Sequence, residues 1–342
     1  LNQGKKEIAH IQMKSFRNSK SKHLIYAFAT AGLLSAFLGS NTTPAGALPS
    51  LSKTPLFGSK AKPLDADKLL EKGRQLFNAG QYNPASEEFR QIVEKNPQSG
   101  VCHFEYARAL ARLGNEDKAV SEFLEALNHD ATLMDARKEM AVVFMKRGSF
   151  DEAGGQLKQV VDAYPEDMVS RGNLAICMQN VGLLDQAIEQ LRIVNAKNPN
   201  SVEALYNLGI ALRQKGLIDE AKEKFAHILL LKPRPDESKL SFTYLELGRC
   251  LLQKNDKNAT NNASDIRSAV GLEKLAIKYL PSNHWAYLAL GEALEKEGKE
   301  TEALEAFRQA IQINPKAPES RAALTRLLNG KAAAQKQKLT VR

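Results

Sequence analysis

The stretch "YNLGIALRQKGLIDEAKEKF", residues 206–225, reads as two short helices separated by a turn, with glycine at 209 inside the first and at 216 between them. A glycine inside a helix costs roughly 1 kcal/mol against alanine, so Gly209 needs a reason. Stepping back 34 residues at a time supplies one: Ala175 and Gly182, Ala141 and Gly148, Ala107 and Gly114, then Gly73 and Gly80 repeat the pair. Something small is demanded at a fixed period, which marks an array of like modules.

Going forward, Gly248 and Gly291 extend the first column and Gly298 the second, with Asn255 standing in for glycine once. Glycine in the second column follows about four turns of helix, where a left-handed residue ends the helix without strain. A third column, Ala85, Ala119, Ala153, Ala187, Ala221 and Ala303, lies four residues before a fourth, Phe89, Phe123, Leu157, Leu191, Phe225 and Phe307. That spacing puts both on one helical face. The alanine admits a neighbouring helix while the large side chain fills the space beside it. Each period closes on Pro97, Ala131, Pro165, Pro199, Pro233, Pro281 or Pro315, and proline stops one helix before the next unit begins.

On these columns, from about residue 66 to 315, the chain resembles the tetratricopeptide repeat (TPR) family. The resemblance implies an all-α fold, a right-handed superhelical solenoid of about seven helix-turn-helix repeats over residues 66–317. The sixth unit departs from the pattern by 5 and 9 extra residues, placed around 234–238 ("RPDES") and 255–264 (within "NDKNATNNAS") and expected in loops. After the repeats, "PESRAALTRLLNG" opens on Pro318 and closes on Gly330, predicting a capping helix over 318–329. Such a cap shields the apolar face that a last repeat leaves open.

Length alone would allow two ordinary domains, but repetition points to one array. Of the 342 residues 43% are hydrophobic and 25% charged, which suits a folded soluble body. The net charge of +9 invites a nucleic-acid reading until its location is checked. Residues 1–47 carry six Lys/Arg and one Glu, and residues 330–342 carry four Lys/Arg and no acid, leaving 38 of each sign in between. An electrically neutral body offers no groove-sized field for phosphates, so nucleic acid is not an expected partner.

From Met13, the expected start, the order is a basic stretch "MKSFRNSKSKH", an apolar run from Leu24 to Leu38, then "GSNTTPAGA" ending at Ala47. This is the layout of a secretory signal peptide cleaved before Leu48. Fifteen apolar residues fall short of the roughly 20 that span a bilayer. An uncleaved anchor over residues 24–38 is the alternative, since Gly39 and Ser40 could lengthen the run, and the only membrane contact expected is through it. Either way the body is expected outside the cytoplasm, periplasmic or secreted. Residues 48–65 read as a flexible linker and 330–342 as a basic disordered tail.

No phosphate-binding loop, dinucleotide fingerprint, nucleophile elbow or HExxH occurs, so no catalytic residue and no cofactor is expected. His10, His23, His103, His129, His227 and His284 lack ligand spacing, and no metal site is expected. "DKNATNNASD", Asp256 to Asp265, lacks the central glycine and closing glutamate of a calcium loop and reads as a polar loop holding two glycosylation sequons. Cys102, Cys177 and Cys250 lie about two repeats apart, too far to bridge, and read as small core residues.

The resemblance also implies where binding happens: the first helices of TPR units line a concave groove that takes an extended peptide or a partner helix. Carried over, the groove residues are Arg74, Phe77, Phe104, Arg108, Arg112, Lys138, Asn173, Tyr206, Asn207, Arg213, Arg249 and Trp285, apolar anchors mixed with arginine. Some TPR arrays grip peptide backbones with an asparagine ladder; the matching column here is Glu71, Glu105, Glu139, Asn173, Asn207, Glu246 and Ala289, with asparagine twice. The asparagine of the carboxylate clamp is missing, its column holding Val142, Ile176 and Ile210, which disfavours chaperone tails. The expectation is therefore an exported, non-enzymatic scaffold that binds a protein or peptide in envelope assembly or secretion. The alternative is an accessory or regulatory subunit of an envelope enzyme, such as a polysaccharide or cell-wall synthesis complex.

Overall fold

The computed structural model describes residues 63–253 and 263–340, and among them every regular element is an α-helix. The expected signal segment, most of the linker and nearly all of the 255–264 insertion, with its sequons and Asn255, lie outside the described residues. The chain divides into two compact units after Gly182.

The first unit holds α1 (Pro63–Asn78), α2 (Tyr82–Lys95), α3 (Gly100–Arg112), α4 (Glu116–His129), α5 (Met134–Arg147), α6 (Phe150–Ala163) and α7 (Met168–Asn180). Each helix packs on the next, and α1, α3 and α5 also touch one after another. The second unit holds α8 (Leu184–Lys197), α9 (Val202–Lys215), α10 (Ile218–Leu230), α11 (Glu237–Leu252), α12 (Ala263–Tyr279), α13 (His284–Lys296), α14 (Glu300–Ile313) and α15 (Pro318–Thr340). The same rule holds there, with α9, α11 and α13 in series.

The small-residue column is explained by what faces it. An added Cβ on Gly209 would lie 2.7 Å from the Phe225 ring, on Gly73 2.5 Å from Phe89, and on Gly291 2.4 Å from Phe307. Real Cβ atoms do not come that close, so the ring lies flat on the bare backbone of its partner helix. These three rings are wholly buried, as are Ala85, Ala221 and Ala303 one turn earlier. Burying one such ring contributes about 2 kcal/mol.

The ends of the helices are equally local. At Gly216 φ is +90°, and its N–H meets the Arg213 carbonyl while the Leu217 N–H reaches back to Leu212 at 2.9 Å. These two hydrogen bonds satisfy carbonyls that the helix end would leave open. At the far end of four modules the proline is followed two residues later by a polar cap. Ser99, Asp167, Ser201 and Asn283 accept backbone N–H groups at the starts of α3, α7, α9 and α13, each contributing about 1 kcal/mol.

Some boundaries differ from the sequence expectation. Helix α1 already begins at Pro63, where the missing N–H costs nothing. Helix α15 runs past Gly330 to Thr340; nothing packs around Gly330, and "KAAAQKQKL" is rich in strong helix formers. The 234–238 insertion is not all loop. Asp236 caps α11 by accepting the Lys239 N–H at 2.8 Å, so Glu237 and Ser238 join the helix.

The three cysteines are buried free thiols, and burial pushes Cys177 and Cys250 up to about 12. They behave as small apolar fillers.

The fit at Gly209 is testable. Gly209→Ala is expected to lower stability by about 1 kcal/mol, the overpacking cost less the propensity gained. Gly155→Ala on α6, where nothing lies within 4 Å, is expected to raise it by about 0.5–1 kcal/mol. Urea unfolding of the full chain reads both, and shifts of the same sign would refute the ring contact.

Candidate protein-docking faces

Positions two before and one after the buried small residue carry Glu105, Glu246, Arg74, Arg108 and Arg249, whereas the positions one before and two after it are mostly core. In the first unit the charged positions are tied together. Glu105 on α3 is buried, its side chain 3% exposed, and accepts from Arg74 Nε of α1 at 2.7 Å and from Arg108 Nη1 of its own helix at 2.7 Å. The Arg108 guanidinium lies 4.5 Å from the Phe77 ring centre and 5.5 Å from that of Phe104, and its Nε reaches Glu139 of α5 at 4.0 Å. Further along, Lys138 of α5 bridges Asp135 at 3.0 Å and Asp167, the cap of α7, at 3.3 Å. Burial would raise the Asp167 carboxyl, but the Ser170 N–H and hydroxyl together with Lys138 hold it below its ordinary value.

The second unit repeats the device in the same column. Glu246 of α11 is 1% exposed and accepts from Arg213 Nε of α9 and Arg249 Nη1 of its own helix, both at 2.8 Å. Gln253 closes the arrangement, accepting from Arg213 Nη1 at 3.1 Å and donating to the Arg213 carbonyl at 3.0 Å. Burial works to raise the Glu246 carboxyl, yet the two arginines outweigh it and hold it below the usual carboxylate value. A second tie, Lys239 Nζ to Glu203 at 2.9 Å, joins α11 to α9.

The structure places the residues expected in the groove as follows. Tyr206 is 2% exposed, its ring edge-on to Phe225 at 5.7 Å, and Phe77 is buried beneath Arg108. Both belong to the core because their helix turns that face inward against the second helices. Arg74, Arg108, Arg213 and Arg249 are each bonded to an internal glutamate. Phe104 is half-buried beside Phe123 and Lys138 is paired with two aspartates.

Arg112 is exposed, and no ion pair or hydrogen bond involves it among the described residues. Asn173 on α7 and Asn207 on α9 are half-buried, and neither amide is satisfied within the described residues. Trp285 is half-buried with its ring 4.6 Å from that of His284. Sequence reading missed the role of Glu105 and Glu246, which it placed in the asparagine-ladder column. The signal was there: each is followed three residues later by arginine, with another arginine in the preceding module.

No group of His, Cys, Asp and Glu among the described residues is placed to hold a metal ion, and no helix there is long and apolar enough to cross a membrane.

Removing a buried acceptor from two arginines leaves both guanidinium groups without their counter-charge. Glu246→Ala is expected to destabilise the second unit by about 3 kcal/mol in thermal or urea unfolding. Glu105→Ala should cost less, because Arg74 and Arg108 are 31% and 23% exposed against 13% and 17% for Arg213 and Arg249. With its value depressed in the folded state, Glu246 contributes stability that is present above pH 4.5 and lost as pH falls below it. A Glu246→Gln variant whose deficit against the parent is constant well above pH 4.5 and shrinks progressively below it would bear this out; a deficit independent of pH would refute it.

Comparison with known proteins agrees with the helix pairs. Profiles of the tetratricopeptide repeat family match residues 70–132, 179–236 and 284–317. A comparison with curated protein sequences finds no match. Among solved structures, a tetratricopeptide repeat protein from Parabacteroides merdae superposes with a TM-score of 0.63 at 14% identity, covering 78% of this chain and 99% of that one. The C-terminal part of a TPR repeat-containing protein from Cytophaga hutchinsonii gives 0.52 at 18% identity, covering 75% and 99%. The Cut9–Hcn1 hetero-tetramer of the APC/C gives 0.57 at 16%, covering 80% of this chain and 49% of that one. At such identities the likeness concerns the fold. With the repeat columns, the helix pairs and these matches in agreement, residues 70–132, 179–236 and 284–317 are tetratricopeptide repeats.

Proposed function

We propose that the chain is a non-enzymatic scaffold that docks a protein or peptide segment on the first-helix faces of its two units, outside the cytoplasm, in envelope assembly or secretion. The observation that carries this reading is the unspent polar capacity left once the internal clamps are subtracted. Asn173 in the first unit and Asn207 in the second each hold an amide, donor and acceptor together, that no described group satisfies. An extended polypeptide presents the complementary N–H and C=O pair at regular intervals. Arg112 adds an exposed charge, and Phe104 and Trp285 add half-buried aromatic surface of the kind enriched at binding hot spots. Export rests on the signal-like order of residues 13–47.

Photo-crosslinkers placed at Arg112 and Asn207 of the full chain in its native cell are expected to capture one and the same protein. Crosslinkers at the exposed second-helix positions Lys158 and Glu223 should not. Binding of that protein in purified form should weaken three- to tenfold in Asn207→Ala, the loss of one or two amide hydrogen bonds, with the helical signal unchanged. Equal capture at all four positions would refute the face.

Export predicts that the chain recovered from the cell envelope begins at Leu48. Amino-terminal sequencing showing residues upstream of 48 on a cytoplasmic protein would refute it.

A further inference from the structure

The sixth helix pair breaks the core pattern at one position. In the other pairs the residue four places after the buried alanine is Phe or Leu, and Phe89, Phe225 and Phe307 each fill the space against the glycine of their first helix. In α12 the buried alanine is Ala269, and four places on stands Glu273. Its side chain is 0% exposed and occupies the ring's place: an added Cβ on Gly248 would lie 2.3 Å from Oε1 and 3.0 Å from Cδ. Neither carboxyl oxygen has a hydrogen-bond partner among the described residues. A carboxyl group thus sits in a slot shaped for an aromatic ring.

The charged groups that face it come from the two helices packed on α12. From α11 they are Arg249 and Glu246, already bonded to one another, and from α13 it is Glu292. On α12 itself Lys274 and Lys278 are exposed on other faces. Burial is the dominant influence and pushes the Glu273 carboxyl well above its ordinary value; Glu246 and Glu292 push the same way, and Arg249 alone opposes them. An ionised carboxylate without donors in such a slot is far costlier than the neutral acid.

We propose that Glu273 makes the α11–α12 pair a protonation-controlled joint, closed when its carboxyl is the neutral acid in the ring slot and loosened when the group ionises and draws water between the helices. The proton passes to solvent and no other bond is made or broken. The joint lies beneath the docking face, because Gly248, against which the carboxyl packs, is flanked in sequence by Glu246 and Arg249 of the clamp. Opening the pair therefore disturbs the clamp from below. The sign follows from linkage: the folded state holds a proton that the unfolded chain has already lost above pH 4.5. Stability from this group is complete at more acid pH and falls as pH rises toward the folded-state value.

The test needs no binding partner. Hydrogen exchange over residues 237–252 and 263–279 of the full chain, corrected for intrinsic exchange, should show an opening constant that rises about tenfold per pH unit above pH 5 in the parent. In Glu273→Gln, and in Glu273→Leu, which restores a side chain found in this column at Leu157 and Leu191, that rise should vanish. Carboxyl-carbon NMR of the parent should show one resonance, absent from both variants, that stays in the neutral-acid position where exposed glutamates have titrated. Parallel exchange profiles in parent and Glu273→Gln would overturn the proposal. So would a Glu273 resonance that titrates with the exposed glutamates, because it would mean that Arg249 holds the group ionised.

Discussion

The flat contact between a bare helix backbone and an aromatic ring is what the rest of the molecule depends on. At Gly73, Gly209 and Gly291 a single methyl group would collide with Phe89, Phe225 or Phe307. The distance between the two helices of a pair is set by ring thickness, and close packing leaves little latitude in it. Once that contact is fixed, 3.6 residues per turn decide which other positions can reach the neighbouring module and which stay at the surface. The propensity sacrificed at each glycine, about 1 kcal/mol, is offset by about 2 kcal/mol from the ring it seats.

The clamps on Glu105 and Glu246 are a second layer built on that geometry. Both occupy the position two residues before the small residue, and both receive one arginine from their own helix and one from the preceding first helix. A buried carboxylate held this way adds little net stability over a hydrophobic replacement, but it penalises any register in which the arginines miss it. Its consequence for recognition is subtraction. Four arginines that the repeat pattern assigns to the expected docking face are bonded to internal glutamates, and the proposed docking therefore draws on Asn173, Asn207, Arg112 and the half-buried aromatics.

Glu273 shows how one substitution in a repeated core can add a property the repeat does not have. The column tolerates exchange of Phe for Leu, as at Leu157 and Leu191, because both are apolar and of similar bulk. A carboxyl group meets the volume requirement only, and brings a titration into the core. Its placement in the pair that also carries the insertions puts it where the sequence pattern is already loosest.

The helices, their order and their pairing were legible in the sequence, because each depends on contacts that recur at a fixed interval: the small residue, the turn glycine, the alanine and ring four apart, the closing proline. Periodicity averages over seven instances, so an exception such as Asn255 does not hide it. Helix ends set by one local bond were less legible, as at Asp236, and at Gly330 a residue that marks a stop elsewhere continues a helix because nothing opposes it. What only the tertiary structure decided is which polar groups are spent. A sequence shows that Arg213 and Glu246 exist 33 residues apart; it does not show that two helices bring them to 2.8 Å, nor that Tyr206 turns inward while Asn207 beside it does not. Hydrogen bonds and ion pairs are short-ranged and directional, so they depend on the final placement of individual atoms, whereas the apolar pattern needs only the right kind of residue on the right face.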